Sequence, residues 1–151
     1  MSVLSWGKPK VEYAKSVNGA ASTDWEEFPE IVEGTTQLET TEGALVEAPE
    51  EGGDIVDSRR PKNKYKFSFE LYVKKGDKKP IEDEDGVIID NYAVRLTPED
   101  PECEGFLIDK ANVSIVETFN SADGKRWRYT FDVIKPASGK MLKPYTAGAA
   151  E

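Results

Sequence analysis

Reactive chemistry in this chain is bounded first by a missing residue type: the 151 residues include no histidine. Ser-His-Asp and Cys-His arrangements and histidine-ligated metal sites are therefore excluded, and most enzyme readings go with them. Carboxylates remain, and a pair flanking a glycosidic bond can act as acid and base. Here, however, the acids occur in runs. Glu82-Asp83-Glu84-Asp85 and Glu99-Asp100-Pro101-Glu102 read as solvated turns, the second marked by Pro98 and Pro101. Asp83, Asp85 and Gly86 offer hard oxygen ligands on a turning loop, which suits calcium. The EF-hand spacing fails, because it would need acidic ligands where Ile81 and Tyr92 stand, so only a looser cation site is left beside the solvated turn. Gly52-Gly53 lacks the Walker spacing and sits among acids that would repel phosphate, which leaves flexibility as its role. Cys103 is the only cysteine, so no intrachain disulfide can form, as suits a reducing compartment. The expectation is a protein that binds or assembles, with no catalytic residue, no metal and no cofactor.

Charge points the same way. Twenty Lys and Arg against 29 Asp and Glu give a net charge of -9, which opposes non-specific attraction to nucleic acid or anionic lipid. The charges come in blocks: Ala21 to Asp57 holds twelve acids and no Lys or Arg, whereas Ser58 to Lys79 holds nine basic residues and two acids. Ile81 to Asp109 then carries ten acids and one basic residue, and Lys110 to Lys143 seven basic residues and three acids. No run approaches the roughly 18 apolar residues that cross a bilayer, and Met1 to Gly7 does not read as a secretion signal, so a soluble chain is expected.

The elements that must carry these residues are mostly strands. Tyr65, Phe67, Phe69, Leu71 and Val73 alternate with Lys64, Lys66, Ser68, Glu70 and Tyr72, the period of a half-buried strand. Val113, Ile115 and Phe119 precede Ser121-Ala122-Asp123-Gly124, and Trp127, Tyr129, Phe131 and Val133 follow, which predicts a hairpin turning on Asp123-Gly124. Shorter strands are expected at Lys10 to Ala14, Trp25 to Val32, Thr35 to Thr41 and Tyr92 to Thr97, and short helices at Asp85 to Asn91 and Leu107 to Ala111. Glu42 to Lys62 and Lys74 to Gly86 read as long loops, the first functional or disordered by its length. The sum is one mostly β domain over residues 1–145, a β-sandwich or small barrel, with 146–151 as a disordered tail. Trp127 falls on an apolar alternation and reads as core. Trp6 and Trp25 are less constrained and are candidate exposed anchors for an interface.

The opening Ser5-Trp6-Gly7-Lys8-Pro9, the long loop ending in Glu51-Gly52-Gly53, and Lys62-Asn63-Lys64-Tyr65 leading into the alternating strand form a pattern. The acidic turn from Pro80 to Gly86, the segment Tyr92-Ala93-Val94-Arg95-Leu96 and the closing Tyr129-Thr130-Phe131 extend it over most of the chain. This arrangement resembles a bacteriophage major tail tube protein, in particular the short forms in prophages of gut Bacteroides-like bacteria.

The resemblance implies a β-sandwich or barrel that forms rings, usually of six, which stack into a hollow tube through which DNA passes. It also implies a place in the virion tail, assembly in the host cytoplasm, other tail proteins as partners, DNA only as non-specific cargo and no membrane. On this basis Gly52 and Gly53 permit the loop to bend, and Asp54, Ile55, Val56, Asp57, Arg59 and Arg60 contact a neighbouring subunit. The strand from Asn63 to Lys74 would then belong to the inner sheet of the ring. Blocks of opposite charge independently favour head-to-tail contacts. Lys62, Lys64, Lys66 and Lys74 sit awkwardly with an acidic bore, unless they face outward or toward a neighbour, or are neutralised by nearby acids. The competing expectation is a monomeric sandwich that binds carbohydrate or a protein ligand on exposed aromatics.

Overall fold

A computed structural model describes residues 7–100 and 102–146, and among these it contains eleven strands and no helix. The strands are β1 Lys10–Val17, β2 Ala20–Ala21, β3 Glu26–Glu27, β4 Gln37–Thr41, β5 Val46–Pro49 and β6 Ile55–Arg59, then β7 Lys64–Tyr72, β8 Val87–Thr97, β9 Gly105–Asn120, β10 Gly124–Val133 and β11 Lys143–Tyr145. Nine of them form one antiparallel sheet in the order β2-β1-β8-β9-β10-β7-β4, with β3 on β1 and β11 on β9, while β5 and β6 form a separate sheet of two. The large sheet curls into a half-barrel around an aromatic core.

Period-two alternation builds that core. Phe67, Phe69 and Leu71 of β7 stand in register with Phe131, Tyr129 and Trp127 of β10, and the last three face Val113, Ile115 and Glu117 of β9. Phe67, Phe69, Leu71, Tyr129 and Phe131 are all essentially inaccessible. Removing one such side chain from water contributes about 1.5–3 kcal/mol, so these rows suffice to select the register. The intervening residues of β7, Lys64, Lys66 and Glu70, carry charge to the other face, where Lys66 lies opposite Asp132 on one side and Glu39 on the other. Lys74 is ion-paired with Glu30. Nearby acids thus accompany two of the lysines that complicate an acidic bore.

The gap between β1 and β7 is spanned by a short strap. Phe28 N–H donates to Val11 O at 3.0 Å, and four residues later Val32 N–H donates to Glu70 O at 2.9 Å. The strap thereby hydrogen-bonds to β1 at one end and β7 at the other, and it drops Phe28 into the centre of the core. The Phe28 ring lies 4.4 Å from Tyr13, 4.7 Å from Phe69 and 5.5 Å from Tyr129, centroid to centroid. Trp25 to Val32 is therefore strand-like only in pieces, with β3 and a single bridge from Ile31 to Leu71.

Both expected helices are strands. In Asp85 to Asn91, Asp85 and Gly86 take positive φ of 52° and 89° and make a turn, after which Ile88 is buried between exposed Val87 and Ile89. Leu107 to Ala111 lies inside β9, where a register shift against β8 between Tyr92 and Val94 interrupts the alternation. Ile108, Asp109 and Ala111 are all buried there, so strand periodicity was hidden by the irregularity and by burial on both faces. Glu42 to Lys62 is likewise not a structureless loop but contains the β5–β6 hairpin. Lys74 to Gly86 does remain a loop, anchored by buried Ile81. Trp6 and residues 147–151 of the expected tail lie outside the described residues.

Candidate functional site

The β5–β6 hairpin is an arm. Val46 pairs with Arg59, Glu47 with Ser58 and Ala48 with Asp57, followed by a register shift to Pro49 and Ile55. Its turn is made by Gly52 and Gly53, whose φ of 98° and 99° is open to glycine and strained for other residues. The bend assigned to these two glycines is where the structure places it. Asp54 O accepts from Glu50 N–H at 2.8 Å across the turn, and Asp57 Oδ1 accepts from Ser58 N–H at 2.8 Å. Arg59 and Arg60 lie at the base of the arm and not at its tip.

That base is rigid. Arg60 Nη1 donates to Gly43 O at 2.9 Å and is ion-paired with Glu42, while Gly43 N–H donates to Asn63 Oδ1 at 3.2 Å. Gly43 is buried so closely against Pro61 that a Cβ there would collide with the Pro61 carbonyl oxygen. The arm itself packs on nothing: every residue of β5 and β6 is exposed, including Val46 at 48%, Ile55 at 50% and Val56 at 65%, with Leu45 beside them at 47%. A two-stranded ribbon of this kind is marginal in water by itself, and apolar residues on it gain nothing until something covers them.

The sequence reading saw Ile55 and Val56 but passed over Leu45 and Val46, which supply half of the arm's apolar surface. The available signal was two short apolar pairs, Leu45-Val46 and Ile55-Val56, placed on either side of the turn residues Glu50-Glu51-Gly52-Gly53. It also passed over a second exposed set on the sheet, comprising Val87, Ile89, Val116 and Phe119.

Other candidates are accounted for within the fold. Trp25 is half-buried, and the Arg95 guanidinium lies 4.2 Å over its ring and 5.1 Å from the Tyr145 ring. Arg95 Nε and Nη2 donate to the Glu12 carboxylate at 3.0 and 3.3 Å, making a half-buried cluster of four side chains on β1, β8, β11 and the segment before β3. Asp83 accepts from Lys79 Nζ at 2.8 Å and from Gly86 N–H, and the Lys79 contact foremost holds its carboxyl below the ordinary value. Asp83 thus ties the acidic turn together, and no group of three or more His, Cys, Asp or Glu among the described residues is placed to hold a metal ion. In the second acidic turn, Asp100 caps Glu102 N–H at 3.1 Å and its carbonyl accepts from Cys103 N–H at 3.0 Å.

One larger concavity, of about 930 Å³, opens beside the strap, lined by Val11, Phe28, Val32 and Leu96 with Glu27, Glu30 and Glu99 at its edges. Glu99 Oε1 accepts from Lys8 N–H at 3.2 Å there. Burial pushes the Tyr13 and Tyr129 hydroxyls well above the usual phenol value, so both act as neutral donors within the core. No protein-family model matches the chain, and no curated protein matches it.

Proposed function

We propose that this protein is a self-assembling structural subunit of the phage tail tube type. Its rings stack into a hollow tube that conducts DNA as a non-specific cargo. The observation that carries the proposal is the β5–β6 arm, held on a rigid base yet exposing Leu45, Val46, Ile55 and Val56 to solvent. Such a ribbon becomes stable when a neighbour covers it, and an arm that reaches outward makes a heterologous contact, which closes into a ring or propagates. Gly52 to Asp57, Arg59 and Arg60 then serve as subunit contacts, and Arg60 also orients the arm. The partners are further copies and other tail proteins, in the virion tail and in the host cytoplasm during assembly.

The test is molar mass by light scattering over a concentration series, with negative-stain images of the large species, for the full chain and for a variant in which residues 45–58 are replaced by a short Gly-Ser turn. Rings or tubes from the full chain and a folded monomer from the variant are expected. A full chain that stays monomeric throughout removes the proposal and favours the second reading, a monomeric binding module. That second reading draws on the cleft beside the strap, whose apolar floor and acidic rim suit a ligand with both apolar and cationic groups.

A further inference from the structure

We infer that the β5–β6 arm of one copy docks on the outer face of the β9–β10 hairpin end of the next, a basic and apolar patch formed by Tyr72, Val116, Arg126 and Arg128. This rests on the assembly proposed above and names the acceptor surface for it.

Four observations converge. Val116 is 52% exposed and Tyr72 40%, so the patch presents apolar surface that the chain itself leaves uncovered. Val116 is in register with Arg128, which is exposed, and Thr118 with Arg126, so the apolar surface is interleaved with cationic side chains. Arg126 stacks 5.5 Å from the Tyr72 ring, sits 3.7 Å from Glu70, and keeps a buried Nε with no hydrogen-bond partner among the described residues. The arm is the opposite in charge: Leu45 to Ser58 carries Glu47, Glu50, Glu51, Asp54 and Asp57 and no Lys or Arg. Apolar meets apolar, and acid meets base, in a way that also sets orientation.

Position makes the contact intermolecular. The arm leaves and rejoins the sheet at Thr41 and Lys64, one end of β7, whereas Tyr72 and its partner Arg126 mark the other end. The nine residues of β7 span about 30 Å at about 3.3 Å each. Donor and acceptor at opposite ends of one sheet satisfy each other only between copies, head to tail, and each copy added leaves a new acceptor free.

The experiment uses full-length chains altered at exposed residues. A donor variant carries Glu50→Lys, Glu51→Lys and Asp54→Lys; an acceptor variant carries Val116→Ser and Arg128→Glu. Each by itself is expected to lose association by about 30-fold or more while keeping the wild-type denaturation midpoint. Mixed, the acceptor variant's intact arm and the donor variant's intact patch form one complete interface that cannot propagate, so a dimer and nothing larger is expected, and one chain carrying Glu51→Arg together with Arg128→Glu is expected to recover assembly. Wild-type-like assembly of the acceptor variant overturns the assigned patch while leaving the assembly proposal standing. Failure of the double charge swap to recover assembly also overturns it, and a wild-type chain that never associates removes both.

Discussion

Tyr129 and Ile81 are joined by two hydrogen bonds: the Tyr129 hydroxyl donates to Ile81 O at 2.8 Å and accepts from Ile81 N–H at 3.2 Å. One buried phenol thus satisfies both backbone polar groups of a residue 48 positions away and pins the Lys74 to Gly86 loop to the core. Replacing it by Phe keeps the ring and removes both bonds. Tyr129→Phe is expected to cost about 1–3 kcal/mol in urea unfolding, because two buried groups are left unpaired. It should also make the loop the first site of limited proteolysis. An unchanged midpoint and cleavage pattern would show that water replaces the hydroxyl without loss.

Arg95, whose guanidinium lies against the Trp25 and Tyr145 rings, holds the Glu12 carboxylate, with its own side chain only 17% exposed and that of Glu12 13%. Arg95→Ala strands that carboxylate and uncovers Trp25, so a loss of about 2–4 kcal/mol is expected, together with a red shift of tryptophan emission. Arg95→Lys should recover little of it, since an ammonium cannot make the forked contact or stack in the same way. A Lys variant as stable as wild type would reduce the cluster to a simple charge pair.

Acid should weaken the Pro80 to Gly86 turn through Asp83. Its carboxyl is held below the ordinary value of 3.8, first by Lys79. A depressed folded-state value means the contribution is present above the unfolded value and is lost as pH falls through the folded one. Asp83→Asn is therefore expected to be less stable than wild type by about 1 kcal/mol at about pH 6, with the gap closing toward about pH 3. Paired urea titrations at the two pH values read this directly, and a gap independent of pH would assign the effect to packing.

Gly43→Ala tests the base of the arm without altering charge. The new Cβ meets the Pro61 carbonyl oxygen, so the two chains at the base must separate. The expected result is a sheet whose thermal midpoint moves little, because the arm packs on none of it, and an association weakened about tenfold or more through misdirection of the arm. Wild-type association would mean that the arm tolerates a change of exit angle.

Much of the sheet was legible in the sequence because its strands announce themselves locally. Tyr65 to Val73 and Trp127 to Val133 alternate cleanly, and Asp123-Gly124 marks the turn that joins β10 to β9, so the pattern and the register coincide. Where a strand is covered on both faces or carries a bulge, that pattern disappears, and Leu107 to Ala111 read as helix for this reason. The arm was hidden differently. Its residues bury nothing, so no alternation marks β5 and β6, and glycine and acid content alone read as loop. The stacking of Arg95 on Trp25 was not legible because Arg95 is 70 positions away and reaches it only through the pairing of β1 with β8.

By itself the sequence determined the β class, the face of β7 and β10 that enters the core, the absence of histidine chemistry and the block pattern of charge. These depend on residue type and short-range period, which need no knowledge of what packs on what. Tertiary structure alone decided that Phe28 plugs the core from a strap between β1 and β7, that Arg95 occupies Trp25, and that the acidic arm and the basic patch stand at opposite ends of one sheet. Each of these is a relation between distant segments, set by how the sheet curls and by which edges are left to be bridged, and no local period encodes it.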